Sequence, residues 1–156
     1  VLAGAHWAAL WLRWLNHKGF RHSSMKDIVR DTISLWRNIH PYSGYKIETI
    51  DWRLLPAIEN KKIKVYYRGN KCVGFITWAW FTEEEFDTLD YNGVEVFKRS
   101  EGDMLYVVDL IIPYGRSDVT NIVRDMRRYL SDLYPDKPMA FAHRSGFMKQ
   151  WTNRSI

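Results

Sequence analysis

Two side chains suited to proton transfer stand in contexts that set them apart. The first is Asp109, inside Leu105-Tyr106-Val107-Val108-Asp109-Leu110-Ile111-Ile112-Pro113-Tyr114-Gly115. Strands buried on both faces read as continuous Val/Ile/Leu runs, so this segment predicts a strand in a sheet interior. A buried carboxylate is costly unless it is paired or hydrogen-bonded. Asp109 is therefore either a structural anchor or a working group with a tuned pKa. The second is His40, in a loop just past the helix expected over Met25 to Asn38. An imidazole titrates near neutral pH, and at that place it can also serve as a cation against the helix's carbonyl end. Arg116, Arg124, Arg127 and Arg128 form a third group. They are either a docking surface for an acidic partner or an ordinary solvated helix face.

The elements that must position these groups follow from periodicity. Ser24 can cap a helix over Met25 to Asn38, where Ile28, Val29, Ile33 and Trp36 recur at helical spacing. Pro41 and Gly44 end it. Residues 51–59 predict a short second helix, interrupted or bent by Pro56. Ile63 to Tyr67 alternates with period two, Arg68-Gly69-Asn70-Lys71 is a turn, and Val73 to Phe81 is the return strand. Thr82-Glu83-Glu84-Glu85 is a capping-box signature for a short helix to about Asp90. Residues 91–103 predict one irregular strand or a mobile loop. After the central strand, Pro113 and Gly115 make a tight exit. Ser117 can then cap a helix running to about Leu133, with Val119, Ile122, Val123, Met126, Leu130 and Leu133 on its apolar face. Met139 to Ala142 is a last strand and 146–151 a short closing segment. A sheet with one parallel crossover makes the fold class α+β, in the element order of N-acetyltransferase-like domains.

The bulk numbers bound the rest. The 156 residues fit one domain with an adequate core. Aromatics are high at 15%, with eight Trp, so some aromatic surface is available to a ligand or partner. A net charge of +5 favours acidic partners without choosing among them. Basic residues have aromatic company, but no recognised nucleic-acid motif is present. The single Cys72 fits a reducing, cytoplasmic setting; it lies in a strand pattern and predicts core packing. No apolar run reaches the roughly 18 residues of a membrane span. Residues 1–24 form an N-terminal extension ahead of a single domain at 25–156. Trp7, Leu10, Trp11, Trp14 and Leu15 share one helical face. Three readings stand: an extra docked helix, upstream sequence with Met25 the start, or a membrane-surface helix. No His/Cys cluster has metal-ligand spacing, so no bound metal is expected.

Several segments resemble the RTX toxin-activating lysine acyltransferases. They are Trp36-Arg37-Asn38 with its following loop, Leu55-Pro56-Ala57-Ile58, Thr77-Trp78-Ala79, and above all Asp109 to Gly115, which matches the family's Asp, apolar residues, Pro, aromatic and Gly. The resemblance covers roughly residues 30–142. It implies an N-acetyltransferase-like domain that moves a fatty acyl group from acyl carrier protein to the ε-amine of an internal lysine of a protoxin. It also implies a catalytic pair, the Asp of the central strand and a His after the first helix. Asp109 takes the first role. In the gapless register the His falls on Tyr42, with His40 two residues earlier in a loop holding Pro41 and Gly44. His40 is the expected base and Tyr42 the alternative. Thr77, Trp78, Gly115, Arg116 and Arg124 are the expected substrate and acyl-donor contacts, although the Trp78-Trp80 pair also reads as core. His143 reads as a strand-end surface residue. The segment beyond about residue 143 is shorter than in the family, which bears on a homodimer.

The implied chemistry is coherent. Lysine is protonated at neutral pH, so a base must first free the amine. A carboxylate beside the imidazole stabilises its cationic form. Backbone N–H groups near 115–118 can face the developing oxyanion. The donor thioester is expected on the phosphopantetheine arm of acyl carrier protein, with no cofactor bound by the enzyme. The loop Gly115-Arg116-Ser117-Asp118 has one Gly and an Asp, a poor diphosphate cradle, which argues against coenzyme A. An acetyl-CoA-dependent N-acetyltransferase and a non-catalytic interaction protein on the same scaffold are the other readings.

Overall fold

The computed structural model describes residues 24–38, 47–142 and 148–151. The expectations for residues 1–23 lie outside them. Helix α1 (Met25–Asn38) starts where a capping serine predicts it. Ser24 Oγ accepts from the Asp27 N–H at 3.2 Å, and Asp27 Oδ2 accepts from the Ser24 N–H at 3.4 Å. Its apolar stripe buries Ile28, Leu35 and Trp36.

The second helical segment, expected over 51–59 with an interruption or bend at Pro56, starts earlier and takes up the proline with a π turn. It is continuous: α2 (Ile47–Thr49), a π-helical turn (Ile50–Leu54) and α3 (Leu55–Glu59). Proline has no N–H, so a regular α-ladder would leave the Trp52 carbonyl without its donor from position 56. The chain widens instead, and the Leu55 N–H reaches the Ile50 carbonyl. The consequence is that Trp52 and Arg53 lie on an underwound, widened turn.

Strands β1 (Ile63–Arg68) and β2 (Lys71–Phe81) form the expected hairpin, and β3 (Met104–Ile111) pairs antiparallel with β2. Helix α6 (Arg116–Leu133) then crosses over to β4 (Met139–Ala142), which runs parallel to β3. The closing segment is a fifth strand, β5 (Met148–Trp151), antiparallel to β4. Strand order is β1-β2-β3-β4-β5. Ile76, Trp78, Trp80, Leu105 and Val107 face Ile122, Met126 and Leu130 of α6. On the other face Phe75 and Ile111 pack with Ile28, Trp36, Leu54 and Ile58. Helices therefore cover both faces, which is why β2 reads as an apolar run rather than an alternation.

Between β2 and β3 the chain forms α4 (Glu83–Thr88), with the Thr82–Glu85 capping box in place, and α5 (Gly93–Lys98). The second corrects the expected irregular strand or loop at 91–103. Asn92 accepts from the N–H groups of Val94 and Glu95 and starts a helix that buries Val96 and Phe97. A second correction concerns α6. Its N-cap is Gly115 at φ 126°, a backbone conformation open to glycine, and not Ser117.

Buried cations tie these layers together. Lys62 Nζ donates to the Phe97 carbonyl at 2.5 Å and to the Arg99 carbonyl, holding the carbonyl end of α5. Lys64 Nζ and the Tyr66 hydroxyl both donate to Asp125 Oδ2 at 2.6 Å, which joins β1 to α6. Cys72 packs as expected, and burial pushes its thiol up to about 12, too high for a thiolate nucleophile at neutral pH.

Two predictions follow from this packing. A Cβ at Gly93 would lie 2.1 Å from the Trp52 carbonyl oxygen, a backbone atom that cannot swing aside. Gly93→Ala should therefore destabilise the fold by about 1–3 kcal/mol despite alanine's better helix propensity; thermal unfolding showing no loss would refute the contact. Burial also lowers the Lys62 ammonium to about 8. Over pH 8 to 10 the native state then binds fewer protons than the unfolded one, so this group adds stability as pH rises through that window. Lysine-selective NMR should show a resonance titrating near 8 that Lys62→Met removes.

Candidate active site

Asp109 is fully buried, and its position results from a fault in the sheet. Thr77 faces Asp109 across the β2–β3 ladder, but the next residue, Trp78, faces Val107. Val108 is the extra residue of a β-bulge. Both Val108 and Asp109 consequently turn toward the layer containing α2, α3 and α5, where strict alternation would send them to opposite faces. Val108 packs with Ala57, Val96 and Phe97. Asp109 meets Arg53.

The carboxylate is gripped from two sides. Arg53 Nη2 donates to Asp109 Oδ1 at 2.8 Å and to the Val108 carbonyl at 3.3 Å. One guanidinium nitrogen thus serves both the charge and the bulge. The Thr77 hydroxyl donates to Asp109 Oδ2 at 2.7 Å and accepts from the Asp109 N–H at 3.1 Å. Here a side-chain oxygen replaces a backbone carbonyl as partner of that N–H. Arg53 also lies over the Trp36 ring, 5.4 Å from its centroid. Burial pushes the Asp109 carboxyl above its ordinary range, and Arg53 and Thr77 pull against that rise. A carboxylate offers roughly four lone-pair positions. The arrangement leaves acceptor capacity on both oxygens while fixing the plane of the group.

The expected site residues separate into four sets. Thr77 and Asp109 come together. Trp78 is buried on the opposite face of the sheet, its Nε1 donating to the Tyr134 hydroxyl at 3.1 Å and its ring edge-on to Tyr129. Gly115, Arg116 and Arg124 belong to the exposed start and outer side of α6, across the sheet from Arg53. At that helix start Arg68 Nη1 holds both oxygens of Asp118 at 2.7 Å. His40, Tyr42 and His143 lie outside the described residues. Among the described residues no group of His, Cys, Asp or Glu is placed to hold a metal ion, and no helix is long and apolar enough to cross a membrane.

Arg53 is the residue that sequence reasoning missed. The available signal was the pairing itself. Each of two apolar strands that must lie side by side carries one polar residue, Thr77 and Asp109. A buried acid there demands a cation, and Arg53 is on the helical segment packed beneath.

The sequence profile of the RTX toxin acyltransferase family matches residues 22–148. The chain is 25% identical over 112 residues to the RTX-II toxin-activating lysine-acyltransferase ApxIIC of Actinobacillus pleuropneumoniae, covering 66% of this chain and 69% of that one. It is 21% identical over 117 residues to the leukotoxin-activating lysine-acyltransferase LktC serotype A1 of Mannheimia haemolytica, covering 74% of this chain and 66% of the relative. The chain thus spans about two thirds of the length of these relatives. Among solved structures, the loading GNATL domain of CurA from Lyngbya majuscula superposes with a TM-score of 0.57 at 17% identity. That match covers 78% of this chain and 62% of that domain, and the fold is the α+β, N-acetyltransferase-like one.

Removing one partner of a buried ion pair costs about 3–5 kcal/mol, whereas replacing both by apolar groups is often neutral. Arg53→Met should therefore destabilise by about 3 kcal/mol or more in urea unfolding, and Arg53→Met/Asp109→Leu should recover most of that loss. Additive losses would show that the two side chains are not coupled.

Proposed function

Because the chain belongs to the RTX toxin acyltransferase family, we propose that it is a protein-lysine acyltransferase. In this reading it moves a fatty acyl chain from acyl carrier protein to the ε-amine of an internal lysine of a protoxin or other protein. The observation that carries the proposal is the buried Asp109 carboxylate, oriented by Arg53 and Thr77 within the family-matched span. The carboxylate is held by two side chains at a bulge, and bulges are over-represented beside active sites.

His40 is assigned the base and Asp109 the partner that stabilises the imidazolium. The base takes a proton from the lysine ammonium. The amine then attacks the thioester carbonyl, the C–N bond forms, and the C–S bond breaks. The imidazolium gives its proton to the departing thiolate, and the neutral imidazole then takes the second proton shed by the acylated nitrogen and passes it to water, giving amide, free thiol and one released proton. The ladder from β4 to β3 involves Leu105, Tyr106 and Val107, one residue short of the bulge. That end of β3 is assigned the acyl thioester, with the carrier on the basic side of α6 around Arg116 and Arg124. The loop Gly115-Arg116-Ser117-Asp118 offers one glycine to a phosphate, which favours the carrier protein over coenzyme A as donor.

The direct test mixes the protein with acyl carrier protein loaded with a medium-to-long chain and an RTX toxin polypeptide as acceptor. Mass spectrometry should show the acyl mass on a lysine. His40→Ala should lower the rate by about 10²–10⁴-fold, with partial rescue by added imidazole. Transfer from the coenzyme A thioester at the same rate would favour the acetyltransferase-like reading of the donor. No transfer from either donor would overturn the proposal.

A further inference from the structure

The segment 82–103 carries eight of the chain's 18 acidic residues and only two of its 23 basic ones. The chain is thus divided electrostatically, with a cationic majority and one anionic region built from α4, α5 and their flanks. The same region displays apolar side chains. Trp52, Leu89 and Val94 are exposed by 39%, 44% and 36%. Tyr91, two residues after Leu89, sets its ring edge-on to Trp52 at 6.4 Å, and Gly93, next to Val94, packs against the Trp52 backbone and ring. Each exposed apolar residue has a carboxylate as its chain neighbour: Asp51 beside Trp52, Asp90 beside Leu89, Glu95 beside Val94. Asp51 and Asp90 are exposed and enter no ion pair among the described residues. Exposed apolar surface interleaved with carboxylates has the complement of a cationic segment that also carries apolar side chains.

We infer that the Trp52–Leu89–Val94 surface docks a lysine-bearing, partly apolar polypeptide segment, the acceptor side of the transfer reaction. The inference rests on the acyltransferase reading for the word acceptor, but the surface stands on its own geometry. Its place fits the task. Exposed Trp52 is the chain neighbour of Arg53, whose guanidinium grips Asp109, so a segment lying on Trp52 touches the helical turn that orients the proposed catalytic carboxylate. The surface is also separate from α6, whose exposed arginines suit an acidic carrier. Two partners of opposite charge would therefore meet the enzyme on different surfaces, and the lysine-bearing one would be repelled from the wrong one.

The probe is a fluorescein-labelled synthetic peptide of alternating lysine and leucine, read by anisotropy against the full chain without any acyl donor. A glutamate–leucine peptide of the same length is the control. The lysine peptide should bind more weakly as salt rises, and the acidic one should not bind this surface. Asp51→Lys/Asp90→Lys and, separately, Trp52→Ala should each weaken the lysine peptide by about tenfold, with unchanged circular dichroism. Arg124→Glu should leave its affinity within about twofold. Equal binding of both peptides, or binding indifferent to the charge reversal, would overturn the inference. Because no donor is present, that result is distinct from a failure of acyl transfer.

Discussion

A carboxylate with no access to water requires partners, and the arrangement around Asp109 is the constraint from which much else follows. Its two oxygens are met by a guanidinium and a hydroxyl. Meeting them requires Arg53 to point into the sheet, Thr77 to stand opposite on β2, and β3 to carry an extra residue so that Asp109 faces Arg53. Arg53 in turn sits on a π-helical turn, a geometry compatible with the missing N–H of Pro56. Sequence features separated by more than fifty residues thus converge on one ion pair. Such a pair is poor as a stabilising device, because desolvation offsets most of its attraction. Its value lies in fixing where a charge is and which way it faces.

The two faces of the sheet divide the work. The α6 face is a packing face: Trp78 and Trp80 meet Tyr129 and Tyr134 edge-on, and Leu130 and Met126 fill the space between. Its polar groups, Lys64, Tyr66 and Asp125, satisfy one another. The opposite face holds the ion pair between two apolar clusters, one around Trp36 and Phe75, the other around Phe81 and Phe97. Placing the charge at the boundary between clusters lets the hydrophobic interior form on either side of it without enclosing an unpaired group.

Much of this was legible in the residues. Ser24, Thr82 and the helical spacing of Ile122, Met126 and Leu130 announce their helices through local chemistry. The apolar runs of β2 and β3 announce a sheet covered on both faces, and Asp109 stands out within its run. What escaped detection depended on contacts distant in sequence. The bulge at Val108 arises from the Thr77–Asp109 exchange, which no window of β3 alone contains. Helix α5 is short, six residues, and owes its existence to the Asn92 cap and the burial of Val96 and Phe97. The π turn reflects Pro56 acting on a helix that begins earlier than the apolar pattern suggests. Thr77 and Trp78 are neighbours on β2, so regular alternation sends them to opposite faces; which of the two faces the site is open in the sequence because β2 is apolar on both.

The central claim is that Asp109 is held in place for chemistry rather than for support. Single-turnover transfer by Asp109→Asn, measured with saturating acyl-carrier donor and acceptor, tests it most directly, because the amide oxygen can still accept from Arg53 while the amide NH2 donates to the Thr77 hydroxyl oxygen. A rate lower by about 10²–10⁴-fold in a protein with native-like circular dichroism is the predicted result. An unchanged rate would contradict it and leave the carboxylate a structural group.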